Sequence, residues 1–183
     1  MAVETDVIPM GTPCPDFDLP AVDGRRYRLS DFAKSDVLAV MFICNHCPYV
    51  KAVEDRILAL AHGYNPEQVQ FVAICANDAA GYPDDSFDNL KKRWQAKGYG
   101  FPYLHDEAQT VAKTFRAVCT PDLFVYDKDR KLAYHGRLDD NWKEPSQVTK
   151  QDMKEAIDAL LSGGKPAESQ VPSMGCSIKW KAA

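Results

Sequence analysis

The run Val37-Leu-Ala-Val-Met-Phe-Ile43 carries no polar residue, is rich in β-formers, and leads directly into Cys44-Asn-His-Cys47. A short apolar run of this kind reads as a strand buried on both faces. Beyond the cysteines, Val50, Val53, Ile57 and Leu60 recur at helical spacing, and Gly63 predicts a left-handed stop. The two thiols therefore sit between the carboxyl end of a strand and the amino end of a helix.

The junction has chemical consequences. Unpaired backbone N–H groups and the helix dipole stabilise negative charge at a helix start, which raises the thiolate fraction of a cysteine placed there. Residues i and i+3 share a helix face, so Cys47 is within reach of a mixed disulfide formed at Cys44. The spacing predicts that Cys44 begins the helix, is the more exposed and attacks, while Cys47 is partly covered and resolves. His46 lies between them, and an imidazolium there favours the thiolate. Pro48 is tolerated in the first turn, where its missing N–H has no partner.

Other readings of the four residues are weaker. Half of a zinc site needs a second cluster of ligands, and the chain holds no second CxxC and no HxxxH. Copper(I) is the stronger metal alternative, with Cys44, His46 and Cys47 as soft ligands of a chaperone or sensor. Neighbours 46 and 47 point to different sides of a helix, which opposes convergence of all three. A binding module with an idle dithiol is the third alternative. The reading adopted has no cofactor and no resident metal.

A length of 183 residues suits one domain with short extensions, and a formal net charge of -4 argues against nucleic acid or an anionic membrane as main partner. The opening Met1-Ala-Val-Glu-Thr-Asp-Val-Ile-Pro-Met10 has acids and no basic segment before an apolar core, unlike a signal or transit peptide. A cytoplasmic protein is expected, with its six cysteines reduced, catalytic or buried.

Along the chain, residues 1–15 read as an extended surface segment. Residues 17–29 read as a hairpin about Asp23-Gly24. Val69 to Cys75 is a second buried strand, with Cys75 a small core hydrophobe. Asp85 or Ser86 caps a helix carrying Phe87, Leu90 and Trp94, and Gly98 ends it. A strand over 101–104 precedes a helix capped by Asp106 with Ala108, Val111, Ala112 and Phe115 inward. Leu123 to Tyr126 and Lys131 to Leu138 form a hairpin. A last helix starts near a capping Thr149 and runs to Leu161. The order β-α-β-α-β-α-β-β-α after the opening hairpin implies an α/β fold, a central mixed sheet with helices on both faces and an N-terminal β-hairpin extension. Residues 1–165 are expected to be one domain, with 1–32 its N-terminal extension and hairpin, and residues 166–183 a mobile tail.

With Cys44-Asn-His-Cys47-Pro48, this element order and Thr120-Pro121, the chain resembles the thioredoxin-like superfamily. Pro13-Cys-Pro-Asp-Phe-Asp-Leu19, Asp23-Gly24 and Leu29-Ser-Asp-Phe32 narrow the likeness to the alkyl hydroperoxide reductase C and thiol-specific antioxidant branch. Cys119-Thr-Pro-Asp122 and Pro172-Ser-Met-Gly-Cys-Ser-Ile-Lys-Trp180 look like a peroxiredoxin-like subgroup that carries CxxC. The resemblance implies a thioredoxin-like fold and a cis Pro121 beside the dithiol. It makes Thr120 and Pro121 substrate-binding, through Thr120 backbone groups open to an extended substrate strand. Asp122 is expected to be solvated.

Typical peroxiredoxins resemble Pro-x-x-x-Thr-x-x-Cys with a later arginine. Aligned on Cys47, this chain has Val40 and Cys44 at the proline and threonine; aligned on Cys44, it has Val37 and Met41. Pro121 falls where the arginine belongs, leaving Arg116 and Arg137 as substitutes. Losing a donor to the developing oxygen charge typically costs about a hundredfold or more. Thiol–disulfide exchange with protein or small-molecule disulfides is therefore expected, with an external dithiol as reductant and thiol peroxidase activity as the alternative. Asp36 is the nearest stand-in for a buried acid before the strand; Lys51 and Glu54 are expected to be exposed. Cys119 and Cys176 are possible auxiliary thiols.

Overall fold

The computed structural model describes residues 2–182. In chain order the elements are β1 (Ala2–Glu4), β2 (Asp18–Pro20), β3 (Arg26–Arg28), β4 (Val37–Phe42), α1 (Pro48–His62), β5 (Val69–Cys75), α2 (Phe87–Lys97), β6 (Tyr103–His105), α3 (Thr110–Phe115), β7 (Cys119–Thr120), β8 (Asp122–Tyr126), β9 (Leu132–His135), α4 (Asp152–Leu161) and β10 (Met174–Ser177). The main sheet has the order β6-β5-β4-β8-β9, parallel from β4 through β5 to β6 and antiparallel across β4, β8 and β9. It is mixed, as expected.

Every residue of β4 is buried because the strand is central and covered twice. Val37, Ala39 and Met41 join one core with Val50, Val53 and Ile57 of α1, Leu90 of α2 and Met153 and Ile157 of α4. Leu38, Val40 and Phe42 join the other with Phe17 and Leu19 of the N-terminal hairpin and Val111, Ala112 and Phe115 of α3. Each fully buried apolar side chain of this size contributes about 1.5–3 kcal/mol. The strand's carboxyl end is thus rigidly placed, and the dithiol hangs from it.

Several local expectations change. Gly63 ends α1 with φ -77, in the right-handed region; Gly98 is the left-handed stop, at φ 62 after α2. The N-cap of α4 is Gln151, because Thr149 is drawn away: its amide and hydroxyl both donate to the Asp140 carboxylate. The third helix begins only at Thr110 and leaves Ala108 exposed, although Asp106 still accepts from the Ala112 amide at 2.8 Å. The strand expected over 101–104 is Tyr103–His105.

The largest change concerns the tail. Residues 174–177 are a strand, and β1-β10-β7 form a second, antiparallel sheet. The opening segment, expected merely to cross the surface, contributes its outer strand. Among the described residues no helix is long and apolar enough to cross a membrane.

Candidate active site

Helix α1 starts at Pro48, so Cys47 is its N-cap residue, with φ -66 and ψ 124, and Cys44 lies in the loop before it. The reason is local. Proline favours the first helical position and pushes the residue before it out of helical backbone. Cys44 does not begin the helix, and both thiols are buried, Cys44 at 2% exposure and Cys47 at 0%. The helix start acts on Cys47.

Both are free thiols in contrasting surroundings. The neighbouring Cys44 thiol, and then the Cys176 thiol and the Val50 and Cys176 amides, hold the Cys47 thiol down near pKa 4 against the effect of burial. One neighbour opposes this. The Thr120 carbonyl oxygen is 3.2 Å from Cys47 Sγ and favours the protonated form. Several donors against one acceptor leave the thiolate favoured. Cys44 goes the other way, pushed far above the ordinary thiol range by its bond to Cys47, by burial and by the Asp85 charge. The Thr120 hydroxyl lies 3.3 Å from Cys44 Sγ.

Asp85 is the functional residue the sequence reading missed. It does not cap α2, whose N-cap is Ser86, but is fully buried under the dithiol loop. Its Oδ2 lies 2.5 Å from His46 Nδ1 and accepts from Asn77 Nδ2 at 2.9 Å; its Oδ1 accepts from the Asn45 amide at 2.7 Å and the His46 amide at 3.3 Å. Tyr82 stacks on the imidazole with centroids 4.8 Å apart. A ring nitrogen of His46, the Cys44 sulfur and an Asp85 oxygen lie within 4.8 Å of one another. The signal available was topological: loops after adjacent parallel strands gather at their carboxyl ends, and Asp85 follows β5 as Cys44 follows β4.

Cys47 stands outside that trio, so the copper set of Cys44, His46 and Cys47 does not assemble. Asp85 already has all the partners just named on its two oxygens. The trio is built to hold an imidazole.

Thr120-Pro121 is a cis bond. The Thr120 edge is not open, however. Residue 120 pairs with Cys176 and residue 119 with Ser177, so the chain's own β10 occupies the place expected for a substrate strand. Cys176 is half-buried and packs against the core cluster that holds Cys44 and Cys47. Cys119 is fully buried, turned to the Pro121 carbonyl, with its pKa raised by burial and then by Asp122. Of the two auxiliary candidates, Cys176 meets the dithiol.

Other expected residues lie elsewhere. Arg116 pairs with Asp6 and Arg137 with Asp152. Asp36 is exposed at the far end of β4, and Lys51 is exposed on α1. Glu54 is buried, not exposed, gripped by Arg93 and by the Tyr99 hydroxyl at 2.7 Å. Asp122 is likewise buried rather than solvated, 2.7 Å from His135 Nε2.

Comparison with known proteins agrees with this architecture. An uncharacterized conserved protein from Geobacillus kaustophilus is 49% identical with a TM-score of 0.93, covering 100% of this chain and 98% of its own. A hypothetical protein from Sinorhizobium meliloti is 41% identical at 0.94, covering 98% and 99%. The thioredoxin domain of a thiol-disulfide oxidoreductase from Bacteroides vulgatus is 14% identical at 0.60, over 70% of this chain and 89% of that one, and shows the thioredoxin-like fold. No curated protein matches. The family model described as AhpC/TSA matches residues 10–135, spanning the hairpin, the dithiol, Asp85 and the cis proline, and the chain belongs to the AhpC/TSA family.

Proposed function

We propose that the chain is a thiol–disulfide oxidoreductase acting on low-molecular-weight disulfides, with Cys47 as attacking thiolate and Cys44 as resolving thiol. The observation that carries this reading is the place of Cys47 as the N-cap residue of α1, where the helix start favours a thiolate, with Cys44 three residues before it beside His46 and Asp85. Cys47 attacks one sulfur of the substrate disulfide, forming a mixed disulfide and expelling the other half as thiolate. Cys44 then gives its proton to His46, oriented by Asp85, and attacks the Cys47 sulfur. The intramolecular disulfide closes and the second half leaves. An external dithiol restores both thiols.

Small substrates fit the burial of both sulfurs and the occupied Thr120 edge. Peroxide cleavage lacks support, because Arg116 and Arg137 are both engaged by carboxylates. The test is stopped-flow reaction of the reduced protein, Cys44→Ser and Cys47→Ser with hydrogen peroxide and with a small disulfide, followed by mass. Fast disulfide reaction that requires Cys47, beside slow peroxide oxidation, is expected. Rapid sulfenic acid formation at Cys47 with sluggish disulfide exchange would overturn the reading in favour of a peroxidase.

A further inference from the structure

A disulfide is opened when a thiolate reaches one of its sulfurs. In this fold Cys44 and Cys47 are 2% and 0% exposed and Cys176 is only half-buried, so of the three sulfurs Cys176 is the one an external dithiol meets most readily. Cys176 connects the surface with the pair. It packs against the core cluster that contains Cys44 and Cys47.

Its position is built into the second sheet. Cys176 stands opposite Thr120, whose carbonyl touches Cys47. Next to it, a Cβ on Gly175 would lie 1.9 Å from the Thr120 oxygen, so glycine permits the close approach of β10 to the cis-proline loop. The Ser173 hydroxyl donates to the Pro121 carbonyl at 2.7 Å, the Ile178 amide donates to Val118 at 2.9 Å, and β1 braces the outer edge.

We propose that Cys176 is a third redox-active thiol, through which an external dithiol delivers electrons to the buried Cys44–Cys47 pair; this rests on the disulfide-exchange reading above. The Cys176 thiolate attacks the Cys47 sulfur of the Cys44–Cys47 disulfide. The Cys47–Cys176 bond forms, the Cys44–Cys47 bond breaks, and Cys44 departs as thiolate and takes up a proton. One thiolate of the external dithiol then attacks the Cys176 sulfur, releasing Cys47 as thiolate. Its second thiol displaces Cys176, and the reductant leaves as a disulfide. Two electrons pass inward, and three thiols are restored. Burial and the negative Cys47 push the Cys176 thiol up to about 11 in the reduced protein, and the second cause vanishes once Cys47 is in a disulfide.

The test oxidises reduced Cys44→Ser with diamide, blocks free thiols with iodoacetamide and maps disulfides by mass. A Cys47–Cys176 bond is expected, whereas free, alkylated Cys176 would overturn the proposal. In parallel, the oxidised forms are reduced with dithiothreitol. Cys176→Ser should slow this step on the order of a hundredfold, the advantage of a held over a diffusing thiol, while Cys14→Ser keeps the wild-type rate. Equal rates for Cys176→Ser and wild type would also overturn it. Diamide needs no enzyme activity. A chain that forms Cys47–Cys176 but turns over no small disulfide would support the thiol pairing while defeating the function proposed above.

Discussion

Asp85 Oδ2 lies 2.5 Å from His46 Nδ1, joining two residues 39 positions apart. The contact fixes the imidazole ring relative to Cys44 and satisfies a carboxylate that has no solvent. Asp85→Asn keeps the shape but loses accepting capacity toward His46, Asn45 and Asn77. It should lower stability by about 2 kcal/mol, the cost of buried donors left unpaired. It should also slow closure of the Cys44–Cys47 disulfide tenfold or more, a part of the general-base effect of about 10²–10⁴. Quenched-flow mass measurement of mixed-disulfide decay against pH checks this. A lower melting temperature with an unchanged pH profile would reduce Asp85 to a structural role.

Thiolate absorbance at 240 nm should report Cys47 directly. Its pKa is held near 4, against an unperturbed thiol of about 8.5. The reduced protein should therefore show a step in that region, absent in Cys47→Ser and displaced upward in Cys44→Ala, which removes the neighbouring thiol. Above the step, the attack rate should be flat from about pH 5 to 8, where an unperturbed thiol gains about tenfold per unit.

The same shift links redox state to stability. A group whose folded pKa is depressed stabilises the fold fully above its unfolded pKa and loses that contribution as pH falls through the folded value. Reduced wild-type protein should gain stability over Cys47→Ser as pH rises from about 4 toward 8.5. Denaturant midpoints at pH 4 and pH 7.5 measure the difference. A constant gap between the two proteins would contradict the ionised Cys47.

Glu54 anchors α1 to α2 through Arg93. Burial pushes its carboxyl up, but Arg93 and the Tyr99 hydroxyl outweigh that and hold it below its ordinary value. Arg93→Ala leaves a buried charge without its main partner. The cost should be about 3 kcal/mol, the lower end for a broken buried pair, because the guanidinium is partly exposed. Glu54→Gln should cost less, since an amide retains one acceptor for Tyr99. Urea unfolding of the two variants ranks them.

Gly175→Ala places a methyl group against the Thr120 carbonyl. The strand β10 must shift away from β7, at a cost of about 1–3 kcal/mol by analogy with overpacked cores. Alkylation of Cys176 should accelerate relative to the wild type. Unaltered labelling would mean that the strand tolerates the methyl group in place.

Much of the architecture is written locally. The apolar run at 37–43, the Asp23-Gly24 turn and the helical spacing after Pro48 each carry their own periodicity, and the structure follows them. What escaped is what depends on partners distant in sequence. Glu54 looks like a solvated helix residue until Arg93 of the next helix and Tyr99 just beyond that helix arrive. Asp122 looks like a loop-edge acid until His135 pairs with it from the neighbouring strand. Asp85 looks like a helix cap in a polar loop, and only the packing of β5 beside β4 brings it under the dithiol. Cys44 was misplaced for a local reason: Pro48 starts the helix one residue after the second cysteine. Cys176 belongs to a segment without apolar alternation, and its strand forms because two edges await it.

The second sheet also sets an order of assembly. Its strands come from residues 2–4, 119–120 and 174–177, so its closure waits for segments at opposite ends of the chain, and loop closure of that span precedes any reward from pairing. During synthesis the strand, loop and helix that carry Cys44 and Cys47 emerge well before residue 174. A growing chain therefore passes through a period in which its two sulfurs lie uncovered, and the finished protein differs from that nascent form in who can touch them.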